Sequence, residues 1–434
     1  MKYFSFLLVF LAISCAPHNR TDVVNLTEEP DGWRLLVNDE PIVVNGMNWD
    51  YFPIGTNYMY VLWDEPDGFI KEALDYEMSL LQDMGVNAIR VYTGIQPRWI
   101  QYIYENYGIY TMLNHSFGRY GLTLEGEWVA NTEYSDPRVA ELLLDEVTTL
   151  AEEFKDTPGL LMYLLGNENN FGLFWGGAET EDTPMADRPS TTRARHMYKL
   201  FNEASLAMKA IDPDRPVALC NGDLLFLDII AKECPDVDIF GVNVYRGKSL
   251  SDMFDRAKKE YGKPILLTEF GSDAFHAITM EEAQVEQATY NVANWREIYE
   301  NAAGLGMAGN SIGGFTFQFS DGWWKYGQTV DLDVHNTEAS WENGGYKFDH
   351  IPGENNMNEE WFGICAKGPT DERGFYPLFP RAAYYALKEV HKLNPCEEGV
   401  TPAKIREHFN GVDVEGARLE AISNRATAES AGVN

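Results

Sequence analysis

Cysteine and histidine are scarce in this chain, five and eight among 434 residues. Cys15, Cys220, Cys234, Cys365 and Cys396 include no Cys-x-x-Cys pair, which leaves no framework for a zinc site. Basic residues are also few. Lys+Arg number 34 against 67 Asp+Glu, a net charge of −33 that repels nucleic-acid phosphates and anionic membrane surfaces. No nucleic-acid partner is expected, and a neutral or cationic one is favoured. No Gly-x-Gly-x-x-Gly follows the first apolar strand, and no Gly-x-Ser-x-Gly joins a strand to a helix. That argues against a dinucleotide site and against a Ser/His/Asp hydrolase. No cofactor or metal is expected.

A long apolar run is missing too. Lys2 precedes only the short run from Tyr3 to Ile13, which cannot span a bilayer and reads as an export signal over residues 1–20. The run ends Leu11-Ala12-Ile13-Ser14-Cys15, which resembles a bacterial lipoprotein processing site. The resemblance implies acylation of Cys15, membrane contact only through that anchor, and a cell-surface or periplasmic location; ordinary secretion is the alternative. An oxidising compartment permits two disulfides among the other four cysteines, with three connectivities open.

What is abundant is apolar and aromatic residues, 45% and 13% of the chain, in an alternating pattern. Trp33 to Val37 and Pro41 to Val44 flank Asn38-Asp39-Glu40 and read as an N-terminal β-hairpin. Short apolar runs then recur at 43–49, 88–92, 110–114, 160–166, 217–220, 239–245, 265–270 and 314–319. Helical stretches separate them. Ile70, Leu74, Met78 and Leu81 keep helical spacing, Asp136-Pro137 supplies a cap and a first-turn proline, and further helices are expected at 191–211, 249–261, 280–303 and 381–393. Eight strands with crossover helices predict an α/β fold, a (β/α)8 TIM barrel in a single domain over 21–393. Residues 394–434 form a C-terminal tail, read as an exposed helix. The connection 320–380 after strand eight is long and carries Trp323, Trp324, Trp341 and Trp361, which suits a loop covering substrate.

In such a barrel the residues just past the strands' C-terminal ends converge on one open face. Strand four ends Gly166-Asn167-Glu168-Asn169, and strand seven ends Thr268-Glu269-Phe270. A strand-end glutamate is often only a helix cap or an ion-pair partner. Two such glutamates, one inside an Asn-rich cluster that is costly to place after a buried strand, make the carboxyl pair that retaining glycoside cleavage needs.

This arrangement, with Val43-Val44-Asn45-Gly46-Met47-Asn48-Trp49 and Gly85-Val86-Asn87-Ala88-Ile89-Arg90, resembles the catalytic barrel of glycoside hydrolase family 2, with family 5 next, over roughly residues 33–393. The resemblance implies a retaining β-glycosidase acting on a carbohydrate. Glu168 would be the acid/base and Glu269 the nucleophile. Asn167 would contact the sugar 2-hydroxyl, Arg90 and Tyr245 would hold the nucleophile, Trp323 or Trp324 would floor the sugar subsite, and His115 would bind a hydroxyl. Family 2 enzymes usually carry β-sandwich domains ahead of the barrel, which the stretch between Cys15 and the hairpin is too short to form. The run Ile89-Arg90-Val91-Tyr92 with Gly108-Ile109-Tyr110 is also similar to β-1,3-glucan-active barrels, including glucanosyltransferases. Hydrolysis of β-linked glycosides is therefore the leading expectation. Transglycosylation shares both glutamates, and a surface lipoprotein that binds glycan without cleaving it would need neither.

Overall fold

A computed structural model describes residues 22–92, 94–173, 191–325, 327–338 and 357–430. The export segment, Cys15 and Trp341 lie outside the described residues.

Eight parallel strands close into a barrel: β1 (Val44–Asn48), β2 (Ala88–Val91), β3 (Tyr110–His115), β4 (Leu160–Leu165), β5 (Val217–Gly222), β6 (Ile239–Asn243), β7 (Ile265–Phe270) and β8 (Ser311–Thr316). The strands are paired in chain order and β8 pairs with β1. Each is followed by a helix: α1 (Asp67–Asp83), α2 (Pro97–Tyr107), α3 (Pro137–Phe154), α4 (Thr191–Ile211), α5 (Leu227–Glu233), α6 (Met253–Glu260), α7 (Gln284–Glu300) and α8 (Ala382–Val390). The expected (β/α)8 barrel is therefore the fold. The helix starts follow local chemistry, as in α3, where the Asp136 carboxylate accepts from the Arg138 N–H and proline opens the first turn.

Two apolar layers hold the barrel. Outward-facing strand residues such as Met47, Ile89, Leu113, Leu165 and Leu267 pack against the helices, while Val44, Ala88, Met112, Met162, Ala218, Ile239 and Leu266 fill the interior. The interior layer continues into a small antiparallel sheet, Val24–Glu29, Gly32–Val37 and Glu40–Ile42, whose Val24, Leu35 and Val37 plug the barrel's lower mouth. The expected hairpin forms its second half. Its turn uses Asn38 and Asp39 at φ 52° and 70°, a left-handed pair that these two residue types tolerate. The strand Val24–Glu29 escaped sequence reading because its residues are mostly polar.

The four cysteines among the described residues are free, which corrects the allowance for two disulfides. Cys220 is committed to the barrel interior, where its thiol lies 3.2 Å from Asn243 Oδ1, and Cys234 donates to the Tyr198 carbonyl. Beyond α8 the chain forms two further helices, Pro402–Asn410 and Val414–Ser430. They bury Ile405, Phe409, Ala417 and Ala421. Gly309-Asn310-Ser311-Ile312-Gly313 has the spelling of a serine-hydrolase elbow, but it leads into β8 rather than into a helix, and Ser311 is buried.

Candidate active site

At the top of the barrel a polar layer replaces the apolar filling. Arg90 on β2, Asn114 on β3, Cys220 on β5, Asn243 on β6 and Thr268 on β7 all point inward and are buried. Arg90 organises them. Its Nη2 donates to Asn114 Oδ1 and to Asn167 Oδ1, each at 2.8 Å, and its Nη1 donates to Glu269 Oε1 at 2.8 Å and to the Thr268 carbonyl at 3.1 Å. A buried guanidinium is tolerated only because its donors are spent in this way.

Glu269 receives three donors. Besides Arg90, the Tyr92 hydroxyl donates to Oε1 at 2.6 Å and the Tyr245 hydroxyl to Oε2 at 2.8 Å. Burial, together with the carboxylate's charge, pushes both phenols far above their ordinary pKa, so they stay protonated and donate. Strand alternation alone would turn Glu269 outward like Leu267. A register irregularity between Val242 and Asn243 sets Glu269 opposite Asn243 and brings it to the cleft side.

Glu168 sits on a turn that few sequences can make. Gly166 and Glu168 both have left-handed backbones, φ 82° and 55°, and a Cβ at Gly166 would lie 2.5 Å from Asn169 Oδ1. The neighbouring asparagines pin the turn. Asn169 Oδ1 accepts from the Asn167 N–H at 2.8 Å while its Nδ2 donates to the Phe117 carbonyl, and Asn170 bonds both the N–H and the carbonyl of Gly222. The Glu168 carboxyl is pushed up to about 7, by burial first and then by the negative charge of Glu269. The cluster thus sets a carboxylate under three donors beside a carboxyl that is pushed up to about 7.

Asn167 is in the same group, accepting from Arg90 and, at 3.0 Å, from Asn243, while its own Nδ2 meets the Tyr120 hydroxyl at 2.7 Å. The structure therefore brings together Glu168, Glu269, Arg90, Asn167 and Tyr245. It does not bring His115 there. His115 shares the outward face of β3 with Leu113; its Nδ1 accepts from the Phe117 N–H and its Nε2 lies 3.4 Å from Glu146 on α3. The expected contact of His115 with a substrate hydroxyl does not fit this placement, because its ring is turned toward Glu146 on α3 while Asn114 takes the inward position.

The two tryptophans after β8 part company. Trp323 stacks on His335 at 4.5 Å, His335 on Trp361 at 3.9 Å, and Trp361 on Phe275 at 4.5 Å, a column of rings that joins the long loop to the segment after β7. Trp324 turns instead toward Phe52 and Tyr58. The loop is tied to the barrel by Arg381, whose two guanidinium nitrogens each reach a carboxylate oxygen of buried Asp321 at 2.7 Å. Sequence reading missed Tyr92, Asn114, Asn243 and Tyr120. For Asn114 and Asn243 the available signal was a polar residue at an inward position of an otherwise apolar strand; Tyr92 follows β2 and Tyr120 lies in the loop after β3.

Comparison with known proteins accords with this geometry. The chain is 24% identical over 239 residues to a β-galactosidase of Leuconostoc mesenteroides, covering 54% of this chain and 19% of that protein. Its fold is similar to a β-D-glucuronidase of Dictyoglomus thermophilum (TM-score 0.52, 17% identity, 86% of this chain and 53% of that one). A GH2 β-galacturonidase of Eisenbergiella tayi bound to galacturonate is similar in the same way (TM-score 0.52, 14% identity, 86% and 54%). The chain spans about half the length of these two solved structures and about a fifth of the β-galactosidase. Residues 32–294 match the family described as glycosyl hydrolases family 2, TIM barrel domain, and the chain belongs to that family.

Proposed function

We propose that this protein hydrolyses β-linked glycosides with retention of configuration, with Glu168 as acid/base and Glu269 as nucleophile. The observation that carries the reading is the contrast between the two carboxyl groups: Glu269 lies under Arg90, Tyr92 and Tyr245, and Glu168 is raised to about 7. Glu168 gives its proton to the glycosidic oxygen as that bond breaks, while a Glu269 oxygen bonds to the anomeric carbon. The glycosyl ester that forms removes the charge of Glu269. Glu168 is then released from one of the two causes that raise it, and it can take a proton from water as the water oxygen attacks the anomeric carbon and frees Glu269. Asn167, fixed by Arg90 and Asn243, suits a contact to the hydroxyl beside the reacting carbon.

The relatives named above are a β-galactosidase, a β-glucuronidase and a β-galacturonidase, so the test uses a wide panel. Aryl β-glucoside, galactoside, mannoside, xyloside, glucuronide and galacturonide are assayed together with β-glucan, mannan and galactan oligomers, and NMR follows the anomeric configuration of the first-formed product. A β product from a β substrate, lost in Glu269→Gln, supports the reading. An α product, or full turnover by Glu269→Gln, defeats it. Transfer to a sugar acceptor in place of water would make the enzyme a transglycosylase, and binding without cleavage would make it a glycan-binding protein. We also propose export through residues 1–20 and lipid anchoring at Cys15, for which the sequence alone speaks.

A further inference from the structure

The loops after β1 and β8 bring a group of aromatic rings to the rim of the barrel's open face. The Trp324 ring lies 5.1 Å from Phe52, nearly edge-on, and 5.8 Å from Tyr58, and Phe52 lies 6.4 Å from Tyr60. The two loops are laced together, since Asn57 Nδ2 donates to the Gln328 carbonyl at 2.8 Å and the Gly55 N–H donates to the Leu332 carbonyl at 3.0 Å. On the same pair of loops Met59, Val330 and Val334 are exposed, by 74%, 67% and 56%. Single exposed apolar residues are ordinary, but a run of them beside three aromatic rings at a cleft rim needs an occupant.

The position of the acid says which part of a substrate reaches this rim. Glu168 must touch the glycosidic oxygen, so the leaving group lies on the β4 side. Around the closed barrel β8 and β1 stand opposite β4, with the remaining strands between them on either side. The rings therefore face the part of the sugar chain that stays on the enzyme. We infer that Trp324, Phe52 and Tyr58 form a platform for a second sugar unit beyond the one transferred to Glu269. The inference rests on the retaining-glycosidase reading and deepens it: the substrate is an uncharged β-linked chain cut at least two units from its non-reducing end, not a lone terminal sugar. Aromatic faces suit the C–H face of a pyranose, and a chain with net charge −33 suits an uncharged one.

The experiment compares 4-nitrophenyl β-glycosides of single sugars with those of the matching β-linked disaccharides, glucose, mannose, galactose and xylose being taken in turn. For at least one sugar the disaccharide should have a kcat/KM about tenfold above the monosaccharide for release of nitrophenol, equivalent to about 1.4 kcal/mol. Trp324→Ala and the more exposed Tyr58→Ala should each collapse that ratio, and Trp324→Phe should keep most of it. Thermal melting of each variant separates loss of the platform from loss of the fold. Preference for single sugars, or a ratio unmoved in both alanine variants, overturns the platform and leaves the glycosidase reading standing. No nitrophenol release from any glycoside overturns both.

Discussion

Arg90 and Glu269 meet from β2 and β7 with Nη1 2.8 Å from Oε1, and the arginine side chain has no exposure to solvent. The same guanidinium fixes Asn167 and Asn114, so one residue sets the position of the Glu269 carboxylate and of the strand end that carries Glu168. Arg90→Lys supplies the charge without the planar fork. We expect kcat to fall by at least about a hundredfold. Removing the charge in Arg90→Ala should also destabilise the fold by about 3–5 kcal/mol, because Glu269 is left buried with the two phenols but no opposite charge. Steady-state kinetics and urea unfolding check the two effects.

In the proposed mechanism Glu168 must carry a proton for the first step. With its carboxyl raised to about 7, activity should fall as pH rises through about 7, because the acid form is lost on that side. A kcat/KM profile on a substrate with a poor leaving group tests this. Glu168→Gln should abolish that limb, and Glu168→Ala should lose about a thousandfold or more on poor leaving groups while keeping more of its rate on activated ones. Full activity of Glu168→Ala on poor leaving groups would sink the assignment.

The two phenols on Glu269 are separable. A hydrogen bond to a charged group contributes about 1.5–3 kcal/mol, so Tyr92→Phe and Tyr245→Phe should each lower kcat/KM by roughly 10- to 150-fold. Equal rates for wild type and both variants would leave Arg90 alone as the group that holds the nucleophile.

Asp321 and Arg381 are a stability pair rather than a chemical one. Asp321→Ala should cost about 3–5 kcal/mol by leaving Arg381 buried with one partner fewer. Unfolding in urea would record the loss, and KM for a single-sugar glycoside at low temperature should change little.

Cys15→Ser tests the anchor. The full-length protein expressed in a bacterial host should partition into detergent with the membranes, and the variant should move to the aqueous fraction.

Much of this site was legible in the sequence, and the misses have a common cause. Glu168 and Glu269 were singled out because each stands at the end of a mainly apolar strand, and the barrel followed from eight such runs. Asn114 and Asn243 were passed over because they stand inside strands, where apolar neighbours dominate the reading. His115 was expected at the cleft, but Asn114, one residue earlier, takes the inward position on β3 and His115 turns toward α3. Glu269 shows the reverse. Alternation would have turned it away from the cleft, and only the register irregularity opposite Asn243 restores it, a feature no single-strand pattern records. The ring column of Trp323, His335, Trp361 and Phe275 joins residues up to 86 apart and has no local signature.

The filled interior and the sheet beneath it make the barrel a dead end. With Val24, Leu35 and Val37 closing the far side, water, like the sugar chain, has to reach the site from the open face. In the proposed double displacement the departing aglycone and the incoming water therefore share that face, so an aglycone slow to depart would throttle turnover even with the chemistry intact.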